Sequence, residues 1–295
     1  MENKKTSMFK EDDTPQRVLS YVRQGKFLGE DALLKVFELP NWKEIIKEYI
    51  KGYSIPYSVE VKLFEQKDVH DLILQYVESG KRLYPKSQLR ILELSNWEVI
   101  IKTYMKHHYL SHDTEVMILK SLENAEDFVC EYSKIHSLSP EAQIMLFELP
   151  KAEALVEAYT RNRPLAKEAE PLMFKLSNAE SLVKHYVEAY PNFLCPEAQE
   201  MVFDLSNVAE IMRIYLSLFN VINQDKILGE AAQIKLFSLA EAKELVKIYI
   251  SKCKMSADAE VFMIDVLDYN DIEAYIQKYT LGVKAQLKLL SMTKK

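Results

Sequence analysis

Glycine is scarce in this 295-residue chain, with six copies, and only ten prolines accompany it. So few backbone breakers exclude all-β and loop-rich architectures, which place both residues at most chain reversals. The same shortage leaves no glycine-rich cradle for a phosphate and no Rossmann fingerprint. Three cysteines, Cys130, Cys195 and Cys253, have neither zinc spacing nor the even number of a disulfide framework. They lie in or beside apolar segments, which predicts buried thiols in a reducing compartment. No apolar run of about 18 residues is present, so no membrane-spanning helix is expected. The first 13 residues are polar, without the apolar core of a secretory leader, and read as a flexible N-terminal segment of a cytoplasmic protein.

Apolar residues make up 48% of the chain and charged residues 28%, a globular composition rich in good helix formers. The net charge of −6 disfavours general nucleic-acid binding, which needs clustered cations.

The dominant signal is an internal repeat with a period of 27–28 residues. A leucine is followed by a tyrosine ten residues later at Leu39/Tyr49, Leu94/Tyr104, Leu122/Tyr132, Leu149/Tyr159, Leu176/Tyr186, Leu205/Tyr215 and Leu239/Tyr249. Gln66/Tyr76 and Tyr269/Tyr279 keep the tyrosine and replace the leucine, and two apolar residues, such as Ile45-Ile46 or Leu155-Val156, stand between. Apolar residues at Ala142, Met145, Leu146 and Leu149, then at Ala152, Leu155, Val156 and Tyr159, follow helical spacing. Each unit therefore reads as two amphipathic helices of about ten residues, too short to be stable alone and dependent on packing against neighbours.

Prolines opening first helices (Pro56, Pro85, Pro140, Pro196), serines able to cap second helices (Ser95, Ser177, Ser206) and glycines after the tyrosines agree with that division. Pro171 implies a first helix that starts late. Half-repeats are expected at both ends, a lone second helix running to Tyr21 and a lone first helix at 283–292. The predicted fold is all-α: one α-solenoid domain over residues 14–295, with about nine two-helix repeats and two half-repeats. The segments Met145-Leu-Phe-Glu-Leu149 and Leu155-Val-Glu-Ala-Tyr159, with their copies, resemble the broad HEAT-like and armadillo-like class of α-solenoids. That resemblance implies scaffolding and partner binding and transfers no individual residue.

Regularity assigns the tyrosines, and the phenylalanines at Phe37, Phe64, Phe147, Phe174, Phe203 and Phe237, to packing. Departures from it are the candidate sites. Cations follow the tyrosines, among them Lys81, Arg82, Lys106, Arg161 and Arg163, and would either complement helix C-termini or form a basic edge for an acidic protein surface or phosphate. Trp42 and Trp97 stand where other repeats carry small residues. Between Tyr215 and Tyr249 the period lengthens to 34 residues, with Phe219 and Ile222 in the inserted apolar stretch. That insert reads as a longer second helix or a decoration of one face. Lys120 replaces a phenylalanine of the repeat. His107, His108, His112 and His136 bunch together but lack metal-ligand spacing and read as solvated loop residues. No catalytic, cofactor or metal constellation is visible. The expectation is a non-enzymatic scaffold for a protein or peptide partner along an elongated surface, and the alternative is a helical-repeat nucleic-acid or DNA-repair enzyme. The sequence leaves the oligomeric state open.

Overall fold

A computed structural model describes residues 14–122, 125–191, 194–219 and 227–292. Among these, nineteen α-helices and two 3-10 segments account for all regular structure, and no strand is present. The proposed flexible segment 1–13 and Ile222 lie outside the described residues. Backbone contacts divide the chain into two compact units. The first extends through Ala125 and includes Ile135–Ser139; the second comprises Glu126–Lys134 and the chain from Pro140 onward.

The first unit contains α1 (Pro15–Arg23), α2 (Glu30–Val36), α3 (Trp42–Gly52), α4 (Tyr57–Phe64), α5 (His70–Glu78), α6 (Pro85–Ile91), α7 (Trp97–Tyr104) and α8 (His112–Ser121). Helix α9 (Ala125–Ile135) leads into the second unit, with α10 (Pro140–Leu146), α11 (Ala152–Thr160), a 3-10 segment (Glu170–Lys175) and α12 (Ala179–Ala189). Next come α13 (Pro196–Met201), which tightens into 3-10 geometry at Val202–Asp204, and α14 (Val208–Leu218). The unit closes with α15 (Glu230–Leu236), α16 (Ala242–Lys252), α17 (Ala257–Val266), α18 (Tyr269–Lys278) and α19 (Val283–Met292). Within each unit, first helices pack on first helices and second on second, as in α2·α4 and α4·α6, or α12·α14 and α14·α16.

Both helices of a pair contribute to the core, and the largest buried side chains lie on the second helices. Tyr49, Tyr76, Tyr104, Tyr132, Tyr159, Tyr186, Tyr215 and Tyr249 are all buried, together with the apolar pairs before them. The ninth tyrosine of the series is Tyr275, not Tyr279, and the N-terminal counterpart is Val22, not Tyr21. At both ends the tyrosine spacing misleads, because a tyrosine stands beside the core position: Tyr21 next to Val22, and Tyr279 one turn after Tyr275.

The motif leucine has another role than helix packing. It follows the first helix in a tight turn, half-buried, and its carbonyl accepts the N–H that starts the second helix, as Leu39 does for Trp42 and Leu176 for Ala179, both at 3.2 Å. First helices are consequently short, of 6–8 residues in most repeats. The serines at this junction do not cap. Ser177 and Ser206 donate instead to Glu153 (3.0 Å) and Glu180 (2.6 Å) of the preceding helix pair. Pro171 occupies the 3-10 segment, where a first helix is replaced rather than delayed. Of the glycines, only Gly25 and Gly80 adopt the left-handed φ, +70° in each, that a helix C′ residue requires.

Candidate functional site

Two structural systems recur along the helix pairs, and the candidate site is a groove between α11 and α12. The first system is a buried clamp on the first helices. A Glu or Gln, sixteen residues before the core tyrosine in most repeats, accepts the main-chain N–H that opens the next repeat's first helix. In the first unit Glu60 accepts from Tyr84 (3.1 Å), Gln88 from Ser111 (2.7 Å) and Glu115 from Ser139 (2.9 Å). In the second, Gln143 accepts from Ala166 (2.5 Å), Glu170 from Cys195 (2.5 Å), Gln199 from Gly229 (2.8 Å), Gln233 from Ser256 (2.7 Å) and Glu260 from Gly282 (2.6 Å). All eight are buried. Such a group is tolerated because its hydrogen bonds are made, and each one satisfies an N–H that its own helix leaves open.

Other atoms of several clamps are used as well. Gln88, Gln199 and Gln233 donate Nε2 to the carbonyl five residues earlier, at 3.2, 2.9 and 2.8 Å. Tyr186 and Tyr275 donate their hydroxyls to Glu170 (3.1 Å) and Glu260 (2.9 Å). Burial pushes the Glu60 carboxyl up to about 7, partly offset by the Tyr84 N–H, and burial likewise raises Glu170. Burial also lifts the phenols of Tyr49 and Tyr76 to about 12, so the ladder is neutral. Repeat one completes the logic by exception: Pro56 has no N–H to give, and the clamp position that would face it is Leu33.

The second system caps helix C-termini across repeats. The residue four after the core tyrosine donates to the last carbonyls of the preceding second helix: Tyr53 to Gly25 (2.6 Å), His108 to Gly80 (2.9 Å), His136 to Met105 (2.6 Å), and Arg163 to Ser133 (2.8 Å) and Lys134 (3.3 Å). A carbonyl only accepts, so each ring nitrogen here carries the proton. His136 is therefore a buried cap, which corrects its reading as a solvated loop residue. Lys252 and Lys278 work similarly on Ser217 (2.6 Å) and Ser251 (2.9 Å).

No family model, curated protein or solved structure matches the chain.

The candidate residues separate accordingly. Arg163 is half-buried in capping and does not belong to an open basic edge. Phe219 is 3% exposed, with its ring edge-on to Tyr215 at 5.7 Å, so it is core and not an anchor. Helix α14 ends at Leu218 with the same eleven residues as α12 and α16, so the insertion does not lengthen it. Trp42 and Trp97 open α3 and α7, both half-buried, and Trp42 lies 5.3 Å from the Phe37 ring. Lys81 is half-buried, whereas Arg82, Lys106 and Lys120 are exposed. Among the described residues, no three His, Cys, Asp or Glu side chains converge as metal ligands.

Arg161 lines a concavity. Between α11 and α12 runs an open groove of about 570 Å³, bounded by Glu157, Thr160 and Arg161 on one side and by Asn178, Ser181, His185 and Glu188 on the other. Leu182 and Tyr186 form its floor. Arg161 is held 2.8 Å from Glu157, whose hydrogen bond and charge raise the guanidinium further. His185 donates Nδ1–H to the Ser181 carbonyl at 2.8 Å, while the Ser181 hydroxyl donates to Asn178 O at 3.0 Å. The serine and histidine thus face different partners and do not form a nucleophile–base pair. What remains is a polar rim of both charge signs over an apolar floor, the composition of a binding groove. The clamp was visible in the sequence as the recurring Ala-Gln and Ala-Glu dipeptides at 142–143, 198–199, 232–233 and 259–260. Nothing in the sequence marks His185 or Glu188.

Proposed function

We propose that the helix pairs continue as an α-solenoid of HEAT- and armadillo-like architecture, and that the chain is a non-enzymatic scaffold that binds a protein or peptide. The observation that carries this reading is the groove between α11 and α12, where Arg161, Glu157, His185 and Glu188 rim the buried Leu182 and Tyr186. Its chemistry favours a peptide segment that inserts an apolar side chain toward Leu182 and offers an acidic group to Arg161. The two exposed carboxylates on the rim disfavour a nucleic-acid backbone at this place.

A photo-crosslinking residue at Ser181, compared with one at exposed Lys120, tests the proposal in native lysate. A discrete adduct is expected at Ser181 alone, competed by unlabelled protein and lost in Arg161→Glu. Equal labelling at both positions, or adducts indifferent to Arg161→Glu, would overturn it.

A further inference from the structure

The exposed aromatic rings of the first unit gather along one edge. Each loop from a second helix to the next first helix brings one to the surface. Phe27 lies between α1 and α2, Tyr57 opens α4, Tyr84 lies between α5 and α6, and Tyr109 between α7 and α8. Among the described residues of that unit no other Phe, Tyr or Trp is exposed. Neighbouring loops touch one another. Tyr53 lies 5.6 Å from the Phe27 ring, the Tyr57 and Tyr84 rings are 5.3 Å apart, and His108 reaches the Gly80 carbonyl at 2.9 Å. The four loops therefore form one continuous strip.

The strip is also basic. Residues 24–29, 53–57, 79–86 and 105–111 include Lys26, Lys81, Arg82, Lys86 and Lys106 and no carboxylate. Glu30, Glu78 and Asp113 flank it, and Glu30 already accepts from Ser58. The turns at the opposite ends of these helices have the other sign: residues 37–41, 65–69 and 92–96 carry Glu38, Glu65, Asp68 and Glu93 against the single cation Lys67. The acidic excess of the whole chain is thus kept off the strip. Helix dipoles account for part of that division but not for Lys86. It stands in the first turn of α6, where a cation opposes the positive helix end, and that turn holds no acid, whereas α2, α4 and α8 each begin with one. Lys81, Lys86 and Lys106 form no ion pair among the described residues.

An acidic peptide would use these cations and leave the rings without a partner. A single-stranded polynucleotide uses both, with phosphates on the cations and unpaired bases on the rings. It also repeats the two chemistries along its length, as the strip does in three of its four loops. We propose that this edge of the first unit binds a single-stranded polynucleotide, its bases stacking on Tyr57, Tyr84 and their neighbours and its phosphates meeting Lys81, Arg82, Lys86 and Lys106. The site is separate from the groove between α11 and α12 and goes beyond the function proposed there.

Fluorescence anisotropy of the full chain with labelled oligo-uridine and oligo-thymidine, each of about 12 nucleotides, tests the strip at low salt. Binding of at least one strand is expected, weakening as salt rises, with a duplex of equal length bound less tightly because its bases are already stacked. Tyr57→Ala combined with Tyr84→Ala weakens binding by about tenfold or more, with unchanged circular dichroism because both rings are exposed. Lys81→Glu combined with Lys86→Glu also weakens it, and flattens its salt dependence. Lys67→Glu on the opposite edge and Arg161→Glu in the groove leave the affinity unchanged. Four results would each overturn the proposal: neither strand binding, tyrosine variants that bind like wild type, a duplex bound as tightly as the single strands, or a labelled oligo-glutamate bound as tightly. The last would assign the strip to an acidic protein.

Discussion

At the scale of single residues, Glu60 shows how a buried carboxyl takes the place of an amide. The following helix pair uses glutamine there, Gln88 donating to one carbonyl and accepting one N–H, and Glu60 likewise accepts the Tyr84 N–H on one oxygen. Its folded-state value near 7 exceeds the ordinary value of 4.5. A group raised in this way supports the fold fully below its unfolded value, and its contribution is lost as pH rises through 7. Glu60→Gln is therefore expected to be near neutral at pH 4.5 and stabilising by about 2–3 kcal/mol at pH 9, read from urea midpoints at the two pH values. Equal effects at both would show that the carboxyl is ionised in the fold throughout.

Among elements, the cross-repeat caps decide which basic residues are structural. Arg163 donates to two carbonyls at the end of α9, whereas Arg161, two residues after the same core tyrosine, makes an exposed pair with Glu157 in the groove wall. Arg163→Met is expected to cost about 1–2 kcal/mol and Arg161→Met under about 0.5 kcal/mol, a difference measurable by thermal unfolding. The sequence placed both arginines together because it records only distance from Tyr159. Which carbonyl a side chain reaches depends on the offset between stacked helices, and that offset is not written in one repeat. The helix pairs themselves were legible, since apolar pairs and tyrosines repeat at fixed spacing. Helix lengths were not, because the leucine at the turn keeps helical phase while serving as a half-buried turn residue. Phe219 was misread for a related reason: an irregular period looks like an exposed insertion, yet its first residue still packs on Tyr215.

Over the whole molecule, helices pack on the next one or two along the chain within each unit, and the proposed solenoid would make stability a chain of local couplings. Gln233→Met, which keeps volume and removes both clamp hydrogen bonds, is expected to raise hydrogen exchange at the Ser256 amide and in α15 and α17. Protection in the first unit should be unchanged. Uniform deprotection of the chain would show instead that it opens as one cooperative body.

The clamp takes a main-chain N–H, so it places almost no demand on the residue that supplies it. Tyrosine, serine, alanine, cysteine and glycine all serve. Only proline is barred, and where Pro56 stands the opposing letter has become Leu33. At eight joints a glutamine or glutamate takes the N–H of a residue other than proline, and at the ninth a leucine faces proline. The loop that supplies the N–H is thereby left free to vary in sequence at that position.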